Sequence, residues 1–223
     1  PFSLIFSYLT SRRRRKFLKN KISAYSAEIP IVVVGNLTIG GTGKTPLVKY
    51  IATELSNKGY KPGIVSRGYG GKFKETLQVT DQTSVKETGD EAQILAKLNF
   101  PFYIDKNRVR AVKTLVANHD CDIIISDDGL QHYQMGRNIE IAVIDGQRRF
   151  GNNLTFPAGP LRDSKKRLES VDFIINNSGP TEEGEYLMNI SPSKFVHLKS
   201  GKSYTFENWP MHNLSLIHIS EPT

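Results

Sequence analysis

The stretch that leaves this chain least freedom is "IPIVVVGNLTIGGTGKTP", residues 29–46. A short apolar run of β-branched residues, bounded by turn residues, is a buried strand. It breaks into a glycine-rich loop. "TPLVKYIATELSNKGY" then carries apolar residues at Leu47, Ile51 and Leu55 and stops at Asn57-Lys58-Gly59, the pattern of a helix with a glycine end. Strand, glycine loop and helix in that order suit a phosphate-binding loop. Small residues let backbone N–H groups converge on oxygens, a lysine reaches the β- and γ-phosphates, and a hydroxyl meets Mg²⁺. The eight places here are Thr38, Ile39, Gly40, Gly41, Thr42, Gly43, Lys44 and Thr45. Thr38 stands where the usual pattern has glycine. The following helix points its N-terminus at the anion.

Beyond the loop, strand and helix patterns alternate. Strands are expected at 63–66, in "FPFYI", in "CDIIISDDGLQH", in "IEIAVID" and in "VDFIINN"; helices are expected in "GDEAQILAKL" and "RVRAVKTLVANH". The polar residues 72–88 read as a hairpin or loop. The prediction is an α/β fold: a P-loop NTPase-like, mostly parallel sheet covered by helices on both faces. The catalytic domain is expected over 29–190, after an apolar and polybasic segment over 1–28. Residues 191–212 read as the start of an incomplete second lobe, and 213–223 as a non-native tail.

Charge matters because of where it sits. The net charge of +8 suggests nucleic acid, yet residues 11–21, "SRRRRKFLKNK", hold seven of the thirty basic residues and no acid. Without them 23 basic residues face 22 acidic ones. One phenylalanine, Phe17, does not make a pattern of aromatic and basic residues interleaved, so a nucleic-acid partner is not expected. Following "PFSLIFSYLT", the cluster reads instead as a membrane-surface segment or the cytoplasmic end of a spanning helix; a solvated surface helix is the alternative. The single cysteine, Cys121, excludes an internal disulfide framework and suits a reducing compartment.

Several polar residues fall where such a sheet delivers ligands. "IIISDD" brings Asp127 and Asp128 to the carboxyl end of a buried strand, where either could orient Mg²⁺. "SRGYGG" places Arg67 at another strand end, as a stabiliser of phosphoryl charge or as a structural arginine. Asp90 opens a helix, as a cap or as a general base on an acceptor hydroxyl. His132 follows Asp128 by four residues and is either structural or a ligand-binding group.

Taken together, "VVVGNLTIGGTGKTP", "VSRGYGG", "GDE", "RVRAV", "DDGLQH" and "DGQRRFGNNLTFPAGPLRD" resemble the tetraacyldisaccharide 4'-kinase family over about residues 30–180. The resemblance implies ATP-dependent phosphorylation of the 4'-hydroxyl of an acylated glucosamine disaccharide 1-phosphate, giving lipid IV-A in lipid A assembly. It implies ATP and Mg²⁺, and work at the cytoplasmic face of a Gram-negative inner membrane through an N-terminal helix. By the same resemblance Lys44 and Thr45 contact phosphate and metal, and Asp90 is the base. Asp127 and Asp128 lie at the metal, and Arg67, Arg108 and His132 line the site. Asp163, a further metal candidate, stands where the family often has glutamate. Members of the family are longer, closing the cleft from a second lobe with a histidine proposed to support the base. The rival reading is a membrane-associated P-loop ATPase acting as a switch or chaperone, which would release phosphate only to water.

Overall fold

The computed structural model describes residues 2–19, 23–191, 194–197, 200–205 and 208. The tail expected at 213–223 lies outside them. In chain order the elements are α1 (Phe2–Leu18), β1 (Ile31–Gly35), α2 (Lys44–Asn57), β2 (Pro62–Ser66), β3 (Leu77–Gln78), α3 (Val85–Thr88), α4 (Asp90–Ala96), β4 (Phe102–Ile104), α5 (Arg108–Asn118), β5 (Ile123–Asp127), β6 (Ile139–Asp145), a 3₁₀ turn (Lys165–Ser170), β7 (Phe173–Asn177) and β8 (Glu185–Met188).

These strands form one sheet in the order β3-β4-β2-β5-β1-β6-β7-β8. All neighbours run parallel except β3, which pairs antiparallel with β4. The α/β arrangement expected from the sequence is therefore present. Every residue of β1 is buried. Because side chains alternate along a strand, Ile31 and Val33 enter one core with Val112, Leu115 and Ile124. Val32 and Val34 enter the other, with Val48, Ala52 and Leu95. Burial on both faces is why β1 reads as an unbroken apolar run rather than an alternating one.

In α2 the expected stripe is rotated by about one residue. Leu47 is buried, but Val48 and Ala52 form the deepest contacts, while Ile51 and Leu55 pack at the margin. Residues 72–88 are more ordered than their polarity suggests, because β3 extends the sheet edge and Ser84 caps the single turn of α3. Strand β8 was not foreseen.

Helix α1 lies against the body through its more polar side. Ser3 hydrogen-bonds Thr155, Arg14 donates to Ser170 Oγ at 2.6 Å, and Phe17 stacks on Tyr133 at 6.0 Å. Phe2, Leu4, Ile5, Tyr8 and Leu9 face outward and are more than half exposed. No helix among the described residues is long and apolar enough to cross a membrane. The described residues from Ile190 onward belong to a separate unit, in which β9 (Phe195–Val196) and β10 (Ser203–Tyr204) pair antiparallel.

Candidate active site

The glycine loop leaves β1 at the centre of the sheet's carboxyl edge, between β5 and β6. Gly43 sits at φ 91°, the left-handed region that side chains disfavour, and so lets the chain turn into α2. At Gly41 neither φ nor packing demands glycine: an added Cβ would meet nothing within 4 Å. That open space is what a ligand needs to approach the backbone closely. Thr42 is buried, and its Oγ1 has no hydrogen-bond partner among the described residues.

The beginning of the loop is strapped down by "PAGPLR". Ile39 N–H donates to Pro160 O at 2.7 Å, Arg162 N–H donates to Leu37 O at 2.6 Å, and Thr38 bridges Leu161. The threonine in the glycine position thus works as a strand residue, where glycine would weaken the pairing. The same strap delivers Arg162, whose Nη1 lies 3.0 Å from both oxygens of Asp128. Lys44 Nζ is 3.7 Å from Asp128 Oδ1. Burial disfavours the Asp128 carboxylate, but Lys44, Arg162 and Arg108 outweigh it and hold its pKa below the ordinary value.

Asp127 is in a different state. It is 2% exposed, and among the described residues its only side-chain hydrogen bond comes from Ser66 Oγ at 3.3 Å. Its Oδ1 has no partner among the described residues. Burial, the dominant cause, together with the charges of Asp128 and Glu91, raises its pKa to about 6 against the opposing pull of Lys44 and Arg108. Arg108 lies beneath the pair, fully buried, donating to the backbone carbonyls of Asp105 and Asp127 at 2.8 and 3.0 Å. Burial lowers its pKa to about 10. Still charged at neutral pH, it acts on the site through its field, and its buried Nε has no hydrogen-bond partner among the described residues.

A buried oxygen without a partner beside an ionised neighbour is a fitting donor set for a hard cation. Thr45 supplies a hydroxyl on the first turn of α2. Among the described residues no three acidic, histidine or cysteine side chains gather as a cage. Mg²⁺ does not need one, since it is commonly held by one or two carboxylates, water and substrate phosphates. Asp163 is placed elsewhere: it accepts from Tyr133 Oη at 2.9 Å and from the Ser164 N–H, with no hydrogen bond or ion pair to Lys44, Asp127 or Asp128.

The second flank is more open. Asp90 is the first residue of α4 and is exposed; its side chain makes no hydrogen bond or ion pair among the described residues. The cap position belongs to Gly89 instead. At Gly89 glycine is obligatory, because φ is 82° and an added Cβ would lie 2.0 Å from Tyr69 O. The "SRGYGG" loop is therefore packed backbone to backbone on the start of α4, bringing Arg67 and Asp90 to the same edge. Arg67 is exposed and unpaired among the described residues. Its charge, with burial first and Arg108 second, drives His132 down to a pKa of about 4. His132 is thus neutral at neutral pH, and its ring makes no hydrogen bond among the described residues. Sequence reasoning missed Arg162 as a partner of Asp128 and Glu91 as a neighbour of Asp127, although both lie inside runs that had been singled out.

Residues 1–219 match the family described as LpxK, tetraacyldisaccharide-1-P 4'-kinase. A tetraacyldisaccharide 4'-kinase of Vibrio parahaemolyticus is 46% identical over 202 residues, covering 90% of this chain and 60% of the relative. One from Shewanella frigidimarina is 48% identical over 194 residues, covering 86% of this chain and 58% of that protein. One from Pseudoalteromonas atlantica is 43% identical over 224 residues, covering 100% of this chain and 70% of the relative. The chain thus spans about 60% of the length of the first of these relatives. Among solved structures, an "apo" form of LpxK from Aquifex aeolicus in complex with ATP is similar, with a TM-score of 0.79 and 26% identity. That match covers 93% of this chain and 68% of the solved one.

Proposed function

The chain belongs to the tetraacyldisaccharide-1-P 4'-kinase family, and from that premise we propose that it carries the ATP-dependent 4'-kinase chemistry of lipid A assembly. The observation that supports this most is the grouping of Lys44, Arg162 and Asp128 beside the buried, half-satisfied Asp127 at the mouth of the glycine loop. Phosphoryl transfer needs positioning and charge stabilisation more than covalent help from the protein, and this grouping is suited to both.

In this reading the loop N–H groups and Lys44 hold the β- and γ-phosphates of ATP. Thr45 with Asp127 or Asp128 would hold Mg²⁺, which when bound neutralises phosphate charge and fixes its geometry. Asp90 takes the proton of the 4'-hydroxyl. A bond forms from that oxygen to the γ-phosphorus as the bond to the β-bridging oxygen breaks, and ADP leaves. Arg67, unpaired among the described residues, offers its guanidinium to the transferring group, and Arg108 and neutral His132 set the field behind it. Asp163 fits a bracing role through Tyr133 better than a metal role.

The acceptor is a membrane lipid, and α1 suits an anionic membrane surface, the cytoplasmic face of the inner membrane in this reading. Its outward apolar residues are followed by an open pocket of about 260 Å³ lined by Tyr8, Arg12, Arg15, Lys16 and Lys19, a composition that attracts lipid phosphates. The test is acceptor dependence. γ-Labelled ATP with the tetraacyl disaccharide 1-phosphate in anionic vesicles is expected to yield labelled lipid. Label released only to water, whether or not lipid is present, would favour a switch ATPase instead.

A further inference from the structure

Three side chains from three strand ends each hold one of three consecutive carbonyls in the glycine loop. Asn36, just after β1, donates from Nδ2 to Gly40 O at 3.3 Å. Arg148, just after β6, donates from Nη2 to Gly41 O at 2.5 Å. Asn177, the last residue of β7, donates from Nδ2 to Thr42 O at 3.2 Å. Two of the three are themselves oriented. Asp145 receives Arg148 Nε at 2.7 Å and the Arg148 N–H at 2.9 Å, and Ser178 Oγ donates to Asn177 Oδ1 at 3.0 Å. Asp145 and Asn177 are also direct partners in the β6–β7 register.

The geometry of the peptide unit turns these contacts into a statement about anions. In a trans peptide the C=O and the following N–H point in opposite directions. Drawing the carbonyls of Gly41 and Thr42 toward the β6–β7 side, and that of Gly40 back to Asn36 at the end of β1, therefore turns the N–H groups of Gly41, Thr42 and Gly43 away from these tethers. Among the described residues none of those three N–H groups has a protein acceptor. Gly41, in their midst, has open space above it.

We propose that Asn36, Arg148 and Asn177 are positioning residues that preform the phosphate cradle by fixing its peptide planes before nucleotide arrives. The inference rests on the reading of the loop as the nucleotide site. None of the three needs to touch the phosphates. Donors fixed in advance spare the ligand the ordering cost that a mobile glycine loop imposes on binding. Arg148 is suited to this because its planar fork reaches Asp145 and Gly41 O at once, which a lysine ammonium on a flexible stem does not reproduce.

The experiment is calorimetric titration of the 223-residue protein with Mg-ATP and, separately, with inorganic tripolyphosphate, alongside thermal melts. Arg148→Ala and Asn177→Ala are each expected to weaken both ligands by about tenfold with little change in melting temperature. Arg148→Lys should recover only a small part of the loss. Asn177→Leu, close to asparagine in shape but without the donor, should match Asn177→Ala; Arg148→Lys and Asn177→Leu carry the test should an alanine variant fold poorly. Wild-type affinity in both alanine variants, loss confined to ATP but not tripolyphosphate, or full rescue by Arg148→Lys would each overturn the proposal. Lys44→Ala is the control that separates the two claims: if it too binds both ligands normally, the nucleotide-site reading fails rather than the tether.

Discussion

The two flanks of the site are built differently. On the glycine-loop flank nearly every group is held: Thr38 and Ile39 by the 160–161 strap, Asp128 by Arg162 and Lys44, and the loop carbonyls by three side chains. On the α4 flank the side chains proposed for the chemistry have no protein partner among the described residues. Asp90 and Arg67 are exposed and unpaired among the described residues, although the backbone beneath them is locked at Gly89. Under the proposed function the contrast separates two jobs. A phosphate chain is bound best by donors fixed in advance, whereas an acceptor hydroxyl carried on a lipid requires a flank that stays open until it arrives.

The comparison is sharpened most by removing the free carboxylate. If Asp90 takes the acceptor proton, Asp90→Asn should reduce lipid phosphorylation by about 10² to 10⁴, the usual worth of a general base. Turnover by that variant within a few fold of wild type would return Asp90 to the role of a charge at a helix start.

The next effect concerns how the acceptor is reached. Replacing Arg12, Arg13, Arg14 and Arg15 by glutamine should weaken binding to anionic vesicles by about 1 kcal/mol for each residue at the surface. Nucleotide affinity should be unaffected. Vesicle binding indifferent to this change and to salt would leave α1 without an electrostatic role.

A smaller effect distinguishes buried Asp127 from exposed Asp90. Asp127 keeps its proton to about pH 6 in the folded protein, while in the unfolded chain an aspartate loses it near pH 4. Between those values the native state binds the extra proton, so this group's contribution to stability falls as pH rises through the window. Asp127→Asn should therefore be more stable than wild type at pH 7 in the absence of Mg²⁺, by on the order of 1–3 kcal/mol, with the gap closing as pH falls from 6 to 4. Melts across that range check it. A gap independent of pH, or a variant less stable at pH 7, would refute the burial argument. Asp90→Asn should shift the melt little at any pH.

Local signals carried much of this molecule. The β1 run, the glycine loop and the two strand-end aspartates could be read because each depends on neighbours in sequence: burial on both faces, left-handed turns and the carboxyl edge of a strand. What stayed hidden depends on contacts distant along the chain. Arg162 meets Asp128 across 34 positions, and Asn177 meets Thr42 across 135. Nothing in "PLRD" or "FIINN" alone reveals such a partner. Strand β3 falls in the stretch read as a hairpin or loop, and the sequence does not decide between them because its two residues pair only at an edge, where no apolar pattern is imposed. The stripe on α2 was displaced because its first turn is fixed by the loop rather than by the best apolar face. Asp163 was grouped with the metal residues through the family resemblance, whereas the structure pairs it with Tyr133.

The central claim is that the nucleotide flank is complete by itself while the acceptor flank is not, and ATP affinity without lipid tests it most directly. Titration of Mg-ATP into the wild-type protein, Lys44→Ala and Asp90→Asn compares one residue from each flank. Loss of a charge-assisted contact should weaken Lys44→Ala by about 10- to 100-fold, while Asp90→Asn should bind as the wild type does. Equal weakening in both variants, or no weakening in Lys44→Ala, would contradict the division of the site into a preformed nucleotide half and an open acceptor half.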